Sequence, residues 1–419
     1  MSNPSLIGRH LAVEPYLSAI PDGWRVVRFK SAFERREDRN TDLAAPMKSL
    51  RSTGEVVDRS SLGERQEPAK ESLPRYLLVD PGDLVVNPMW LIGGAIGVST
   101  TTGAVSPDYR VFRSSILIPR YAHYLLRSSP YVDQYSLYTR AQTTFDRRVQ
   151  QPDLDNLPLA VPTVVEQKTI AEFLDHETAQ IDVLVGRQER LVGVLSERRE
   201  AVVAHAMGGL SDRHGRLARL GRRARIGNGS TPRREEERYW GGGNHPWLNS
   251  SVVNLPEVWQ ATQHVTDAAL LECHLPKVRA GSLLVGLTGQ GKTRGMATIL
   301  ATEATINQHL AYITPDPSYW DSRYLLWVLR ADYRVLRRLS DENGSTKGGL
   351  TCDELKRHRV PRPNLEEQRG VAGLLDEQTA KIDASISKAQ RFIELARERR
   401  VALITAAVTG KIDVRDKVA

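Results

Sequence analysis

The sequence predicts an α+β protein with an internal repeat: two globular, mixed α/β domains and two long α-helices. Three observations carry that expectation. Residues 162–209 and 363–410 are copies of one another at a constant offset of 201, with 17 of 48 positions identical, and a repeat of that length marks a duplicated structural unit. Apolar residues within each copy recur at helical spacing. The stretches before each copy alternate short apolar runs with glycine and proline, the mark of strands broken by turns.

The first copy opens PTVVEQKTIAEFLDHETAQID and closes SERREAVVAHAMGG; the second opens PNLEEQRGVAGLLDEQTAKID and closes RERRVALITAAVTG. After a short segment with Ile170 and Phe173 come Ile181, Leu184, Val185, Leu191, Val192, Leu195, Val202 and Val203, an amphipathic pattern. Thr178 with Asp182, and Thr379 with Asp383, suit helix N-termini, where a hydroxyl accepts from free amides and an early carboxylate complements the dipole. Gly208, Gly209 and Gly410 mark the expected stops. Thr178 to Ala206 then spans about 43 Å at 1.5 Å per residue, and Thr379 to Ala407 the same. Two such helices can bury their seams against each other. A coil that only dimerises the chain is the alternative at this point.

The 419 residues suffice for two or three domains. A hydrophobic content of 40% and a charged content of 26% are those of a globular protein. No stretch approaches a membrane span, and the first residues lack the pattern of a signal peptide, so a cytoplasmic protein is expected. Cys273 and Cys352 are too few for a disulfide framework or a thiolate zinc site. The net charge of +8 favours a nucleic-acid partner, although arginine-rich coding bias is a second source.

Four regions follow: 1–157, 158–209, 210–360 and 361–419. In the first, a lead-in strand is expected at Gly23-Trp24 and VVRF, then a long polar loop over 34–72. Strands are expected at Tyr76–Val79, Asp83–Val86 and Ile116–Ile118, and a helix at 120–140 interrupted by Pro130. The third region repeats the plan with a lead-in strand over Leu217–Ile226, a strand at Ser282–Val285 and a helix over Tyr319–Leu339.

Several motifs suggest catalysis and fail on context. Gly286 to Thr293 reads GLTGQGKT, which matches a phosphate-cradling loop, but a helix must follow it and Arg294-Gly295 and MATIL do not predict one. A nucleic-acid-dependent NTPase built on Lys292 is the alternative function. Asn87-Pro88-Met89-Trp90 lacks the second proline of the tetrad with which amino-methylating enzymes hold a flipped adenine. Pro315-Asp316 and Glu354-Leu355-Lys356 have the letters of a metal-dependent nuclease, but their carboxylates are not expected to converge. The histidines have no zinc-binding spacing.

Basic residues remain. Arg213, Arg216, Arg219, Arg222, Arg223 and Arg225 lie in a stretch free of acids after Asp212. Candidate DNA contacts are Arg140, Arg147 and Arg148 in the first region, and Thr231, Arg233, Arg234, Gln290, Lys292, Arg294 and Lys347 in the third. Glycines around them let a backbone approach phosphates while Arg and Gln side chains reach base edges. A solvated charged surface is the bland reading of each.

The paired Pro-x-x-x-Glu-Gln segments at 162–167 and 363–368, each followed by Leu-Asp and Thr-Ala-x-Ile-Asp and closed by Glu-Arg-Arg, carry a family resemblance. So do Gly229-Ser-Thr-Pro232, Tyr239-Trp240-Gly241, Pro246-Trp247, Asn307-Gln308 and Gly344 to Leu350. Over nearly its full length the sequence resembles the specificity subunit of type I restriction-modification systems. The first region departs from the pattern, having no Thr-Pro or Tyr-Trp-Gly signature.

The resemblance implies two target recognition domains, separated by a pair of long antiparallel helices related by a pseudo-twofold repeat. It implies a non-catalytic subunit that reads a bipartite sequence in double-stranded DNA and docks two modification subunits. Docking would involve Glu166, Gln167, Asp182, Arg198 and their copies Glu367, Gln368, Asp383 and Arg399. It implies no metal or cofactor on this chain. S-adenosylmethionine would come with the modification subunits, and ATP and Mg with translocating restriction subunits where present. Helices of about 43 Å match about 12 or 13 base pairs at 3.4 Å each. Deleting one turn from both helices is therefore expected to shorten the preferred spacer between half-sites, measured by mapping methylated sites; an unchanged spacer would refute the ruler.

Overall fold

The computed structural model describes residues 10–63, 68–139, 147–214, 217–289, 291–341 and 349–415. It divides into two units: residues 1–189 with 390–419, and residues 190–389. Each long helix contributes a segment to both.

The described strands of unit 1 are β1 (Arg25–Arg28), β2 (Phe33–Arg36), β3 (Lys48–Leu50), β4 (Val56–Asp58), β5 (Leu77–Val79), β6 (Leu84–Val86), β7 (Ile96–Val98), β8 (Gly103–Val105), β9 (Arg110–Ser114) and β10 (Pro158–Val161). β2, β9, β6 and β7 form the main sheet in that order, while β1 pairs with β10, β3 with β4 and β5 with β8. Helices Pro119–Arg127 and Ser129–Tyr138 follow β9. They break at Ser128, and Pro130 sits in the first turn of the second, where its missing N–H costs nothing. Tyr121, Leu125, Leu126 and Tyr135 are fully buried and pack with Phe29, Leu84, Phe112 and Leu174.

Two expectations for this unit need correction. Residues 34–72 are not one loop: β2, β3 and β4 fall within or across them, with Lys48 buried and paired to Asp58 at 2.8 Å. Ile116–Ile118 is not a strand. Its backbone is satisfied by side chains instead, with Ile118 N donating to Gln167 Oε1 (2.8 Å), Gln167 Nε2 donating to Ile116 O (3.0 Å) and Leu117 N donating to Ser114 Oγ (2.9 Å).

Unit 2 carries β11 (Leu217–Arg219), β12 (Ala224–Asn228), β13 (His245–Leu248), β14 (Glu257–Val258), β15 (Gln263–Val265), β16 (Leu283–Gly286), β17 (Ala297–Leu300), β18 (Thr305–Ile306), β19 (Leu310–Pro315) and β20 (Arg359–Pro361). The main sheet runs β12-β19-β16-β17-β14, beside a β15-β13-β18 sheet and a β11-β20 pair. The single lead-in strand expected over Leu217–Ile226 is therefore two strands, β11 and β12, with Arg223 at φ +60 in the turn between them. Helices Ser322–Ala331 and Tyr333–Asp341 bury Tyr324, Leu325, Trp327 and Leu336 against the sheet.

The long helices exceed expectation, running Val164–His214 and Leu365–Val408. Thr163 with Glu166, and Asn364 with Glu367, cap them by reciprocal side-chain to backbone hydrogen bonds. Thr178 and Thr379 are not caps. Both are buried mid-helix and donate to the carbonyls of Leu174 and Leu375, each at 2.6 Å. Gly208 and Gly209 do not stop the first helix, because buried Met207 and Leu210 hold that turn against unit 2 and packing outweighs propensity.

Within unit 1, Asp182 pairs with Arg400 (3.2 Å) and Glu189 with Arg397 (2.7 Å). Numbers rise along one helix as they fall along the other, so the two segments are antiparallel. Within unit 2, Arg199 pairs with Asp383 at 2.8 Å, the copy of Asp182 with Arg400. Such exposed pairs contribute at most about 1 kcal/mol each and act mainly on register.

Burial, followed by the charges of Arg127, Arg120 and Arg400, pushes the His123 imidazole down to about 4. The unfolded chain then binds a proton that the folded chain refuses between about pH 6.5 and 4. This contribution is complete above pH 6.5 and is lost as pH falls through that window, by about 3 kcal/mol. Replacing His123 with Gln is expected to flatten the thermal midpoint over pH 4–6.5 relative to wild type; parallel pH profiles would refute this.

Candidate nucleic-acid interface

In unit 2, Asn228 of β12 is registered with Ala311 and Gly286 of β16 with Leu310, so the loops leaving these strands meet at one end of the main sheet. Gly229 N donates to Asn307 O (3.3 Å) and Ser230 N to Ile306 O (3.1 Å), while Leu287 N donates to His309 O (2.9 Å). Three loops are thus stitched together by backbone bonds. Their side chains form an exposed polar chain: Thr231 with Gln308 (2.5 Å), Gln308 with His309 (3.4 Å) and His309 with Thr288 (2.9 Å). Hydroxyl, carboxamide and imidazole groups in this setting match the donors and acceptors of base edges.

The tryptophans of this region are structural. Trp240 Nε1 donates to Arg233 O (3.0 Å) and Trp247 Nε1 to Ser230 O (3.2 Å). Arg234 lies over both rings, at 4.3 and 5.1 Å from their centroids, and donates to Gln263 Oε1. Its guanidinium latches the loop, so it is not a free contact. Arg233 and Lys292 are exposed, and their side chains have no hydrogen bond or ion pair among the described residues. Arg294 is corrected as a DNA contact: it is buried and ion-paired with Asp341 at 2.6 Å. Arg140, Gln290 and Lys347 lie outside the described residues.

Gly286 ends β16, and residues 287–289 and 291–296 contain no helix. Gly295 N donates to Gly286 O (2.8 Å) and Gly286 N donates to Met296 O (3.0 Å), after which strand β17 follows. Among the described residues a strand and not a helix follows Gly286–Thr293, so the helix N-terminus that cradles nucleotide phosphates is missing there and the NTPase alternative is unsupported.

In unit 1 the equivalent sheet end carries Asn87–Trp90, with Asn87 Oδ1 accepting from Met89 N (3.1 Å) and the Trp90 indole 52% exposed. Val149 N donates to Pro88 O (3.0 Å), which brings Arg147 and Arg148 beside this turn. The sequence reading missed Arg35 and Arg110. Arg110 donates to Val149 O at 3.3 Å through Nη2, while its buried Nη1 has no partner. Burial, then the charges of Arg35 and Arg148, push its pKa down to about 10. Arg35 pairs with Glu37 (3.2 Å) and Arg148 lies 3.9 Å from Asp108, so the orphaned Arg110 nitrogen is the group that an anionic oxygen would complete. Arg35 pairs with Phe112, two residues from Arg110 on the neighbouring strand, a relation no local pattern reveals.

Of the docking candidates, Gln167 and Gln368 need correction. Both are fully buried, and each bonds within its own unit: Gln368 Oε1 accepts from Asp321 N (2.8 Å) and its Nε2 donates to Tyr319 O and Pro363 O, the same scheme as Gln167 with Ile118, Ile116 and Pro162. Glu166 and Glu367 cap the helices, and Asp182 and Asp383 pair the helices. Arg198 and Arg399 are exposed, with no side-chain hydrogen bond or ion pair among the described residues. Among those residues no helix is long and apolar enough to cross a membrane, and no group of His, Cys, Asp or Glu could hold a metal.

Two unlike α/β units that repeat one buried framework and share two long helices define a class of duplicated two-unit scaffolds. The model of the type I restriction modification DNA specificity domain matches residues 219–391. The specificity subunit of the type I restriction enzyme EcoKI of Escherichia coli K12 is 27% identical over 333 residues, covering 74% of this chain and 68% of that protein. Two other curated type I specificity subunits are matched over only 42% and 34% of their own lengths. Among solved structures, a chain from a study of assembly and conformational transition in the type I R-M system has a TM-score of 0.69 at 19% identity, covering 94% of this chain and 99% of that one. The HsdS subunit of Thermoanaerobacter tengcongensis has a TM-score of 0.55 at 19% identity, over 96% and 100%. The chain is thus similar to type I specificity subunits in sequence over part of its length and in fold over nearly all of it.

Proposed function

We propose that the chain is the non-catalytic DNA-recognition subunit of a type I restriction-modification complex, reading one half of a bipartite target with each unit. The observation that carries this is the stitched loop end of unit 2, where Thr231, Gln308, His309 and Thr288 form an exposed polar surface held by backbone bonds. Preorganised donors and acceptors of this kind discriminate bases because a mismatch leaves them unpaired. The arginines of unit 1 supply charge for phosphates. Arg198 and Arg399, exposed at copied positions, suit the docking of two modification subunits. Those partners bring S-adenosylmethionine, and restriction subunits bring ATP and Mg, in a cytoplasmic complex.

The test is to assemble the chain with its modification subunits and map methylated adenines in a DNA library. A two-part motif is expected, with one half changed by Thr231→Ala and Gln308→Ala together. Methylation at the same sites without this chain would refute the proposal.

A further inference from the structure

The arginine run near residue 223 is not used by the reading loops, yet it lines the groove at the other end of the sheet. This groove has a volume of about 640 Å³. Arg223 and Arg225 enter it from the start of β12, Lys277 and Arg279 from the segment before β16, and Tyr312 and Asp316 from β19 and the turn after it. Four cations therefore face one carboxylate. That carboxylate is already engaged, since Asp316 accepts from Ser318 N (3.0 Å) and Oγ (2.7 Å) and pairs with Arg223 at 3.6 Å. Arg279 donates to Pro315 O at 2.7 Å. The side chains of Arg225 and Lys277, and the Tyr312 hydroxyl, have no hydrogen bond or ion pair among the described residues.

Arg223 itself is informative. Its φ of +60 costs an L-residue roughly 1 kcal/mol or more, and glycine would take it freely. The turn requires the conformation, and the guanidinium is what arginine adds there. Ala224 is registered with Pro315 and Asn228 with Ala311. The groove is thus separated from the reading end by the length of β12, about 14 Å at 3.4 Å per residue, or about four base-pair steps.

We propose that this groove binds a phosphate of the DNA backbone flanking the bases read by unit 2. The proposal rests on the DNA-reading assignment above. Unpaired guanidinium and ammonium groups beside a hydroxyl supply charge and donors for a phosphodiester oxygen, and rigid proline at Pro276 and Pro315 keeps the walls apart.

The experiment uses Arg225→Gln combined with Lys277→Gln, two exposed positions without partners. In the assembled complex, target binding is expected to weaken about tenfold, and the dependence of log affinity on log salt to flatten by about 1, because each phosphate neutralised contributes roughly 0.9. The positions of methylated adenines should stay the same. In a second arm on the full chain alone, inorganic tripolyphosphate should raise the thermal midpoint of wild type and not of the double variant. Arg223→Gly should blunt that response without lowering the midpoint, whereas a merely structural arginine would lower it. Unchanged affinity and salt slope would overturn the proposal. So would a tripolyphosphate response lost without any change in DNA binding, which would assign the groove to free polyphosphate, or loss of assembly with modification subunits while the phosphate response persists. If the wild-type complex shows no sequence preference, the recognition assignment fails, and the tripolyphosphate arm still reports on the groove.

Discussion

Gly229→Ala is expected to abolish reading by unit 2. A Cβ at Gly229 would lie 1.7 Å from the carbonyl oxygen of Ile306, so the chain must move by more than an ångström. Backbone cannot yield as a flexible side chain does. The move breaks the bonds from Gly229 N to Asn307 O and from Ser230 N to Ile306 O, and it pulls Thr231 from Gln308. Two lost backbone bonds and the overlap cost about 2–4 kcal/mol. The functional loss is larger, because an error of about 1 Å in position costs about a hundredfold in rate. Methylation at the unit 2 half-site should fall at least that far in the assembled complex, while preference at the other half-site persists in a library. Wild-type methylation by the variant would refute the role of this close approach.

Asp83→Ala should be the most destabilising exchange in unit 1. Asp83 is fully buried, accepting from Arg36 (2.9 Å), Arg113 Nε (2.7 Å) and the backbone of Asp80 (2.8 Å). It therefore ties β2 and β9 to the start of β6. Removing the carboxylate strips three hydrogen bonds from a buried site, while Arg36 keeps Asp38 and Asp80 and Arg113 keeps Asp80 at 3.6 Å, so the cost is about 3 kcal/mol, the low end for a broken buried pair. In a domain of this size each kcal/mol moves the thermal midpoint by about 2–4 °C, so a fall of about 10 °C is expected. Asp83→Asn keeps one acceptor and should fall roughly half as far. A drop of less than about 2 °C for Asp83→Ala would show that the arginines find other partners.

The sequence by itself determined the duplication, the two helices and the absence of a helix after Gly286–Thr293. Each of these is a property of spacing along the chain, and a periodic apolar face or a missing helix signal needs no distant partner to be read. Helix ends were less legible. Thr178 and Gly208-Gly209 look like boundaries, but Leu174, Met207 and Leu210 pack against the units and carry the helix past them. Only the tertiary structure decided what each polar side chain faces. It turned Gln167 and Gln368 inward as backbone clamps, gave Arg294 to Asp341, set Arg110 beside Arg35 and Arg148, and brought Lys277 and Arg279 to Arg223 and Arg225. The physical reason is that a charge or an amide is assigned its role by what long-range strand pairing sets opposite it, and that pairing has no periodic trace in the residues around it.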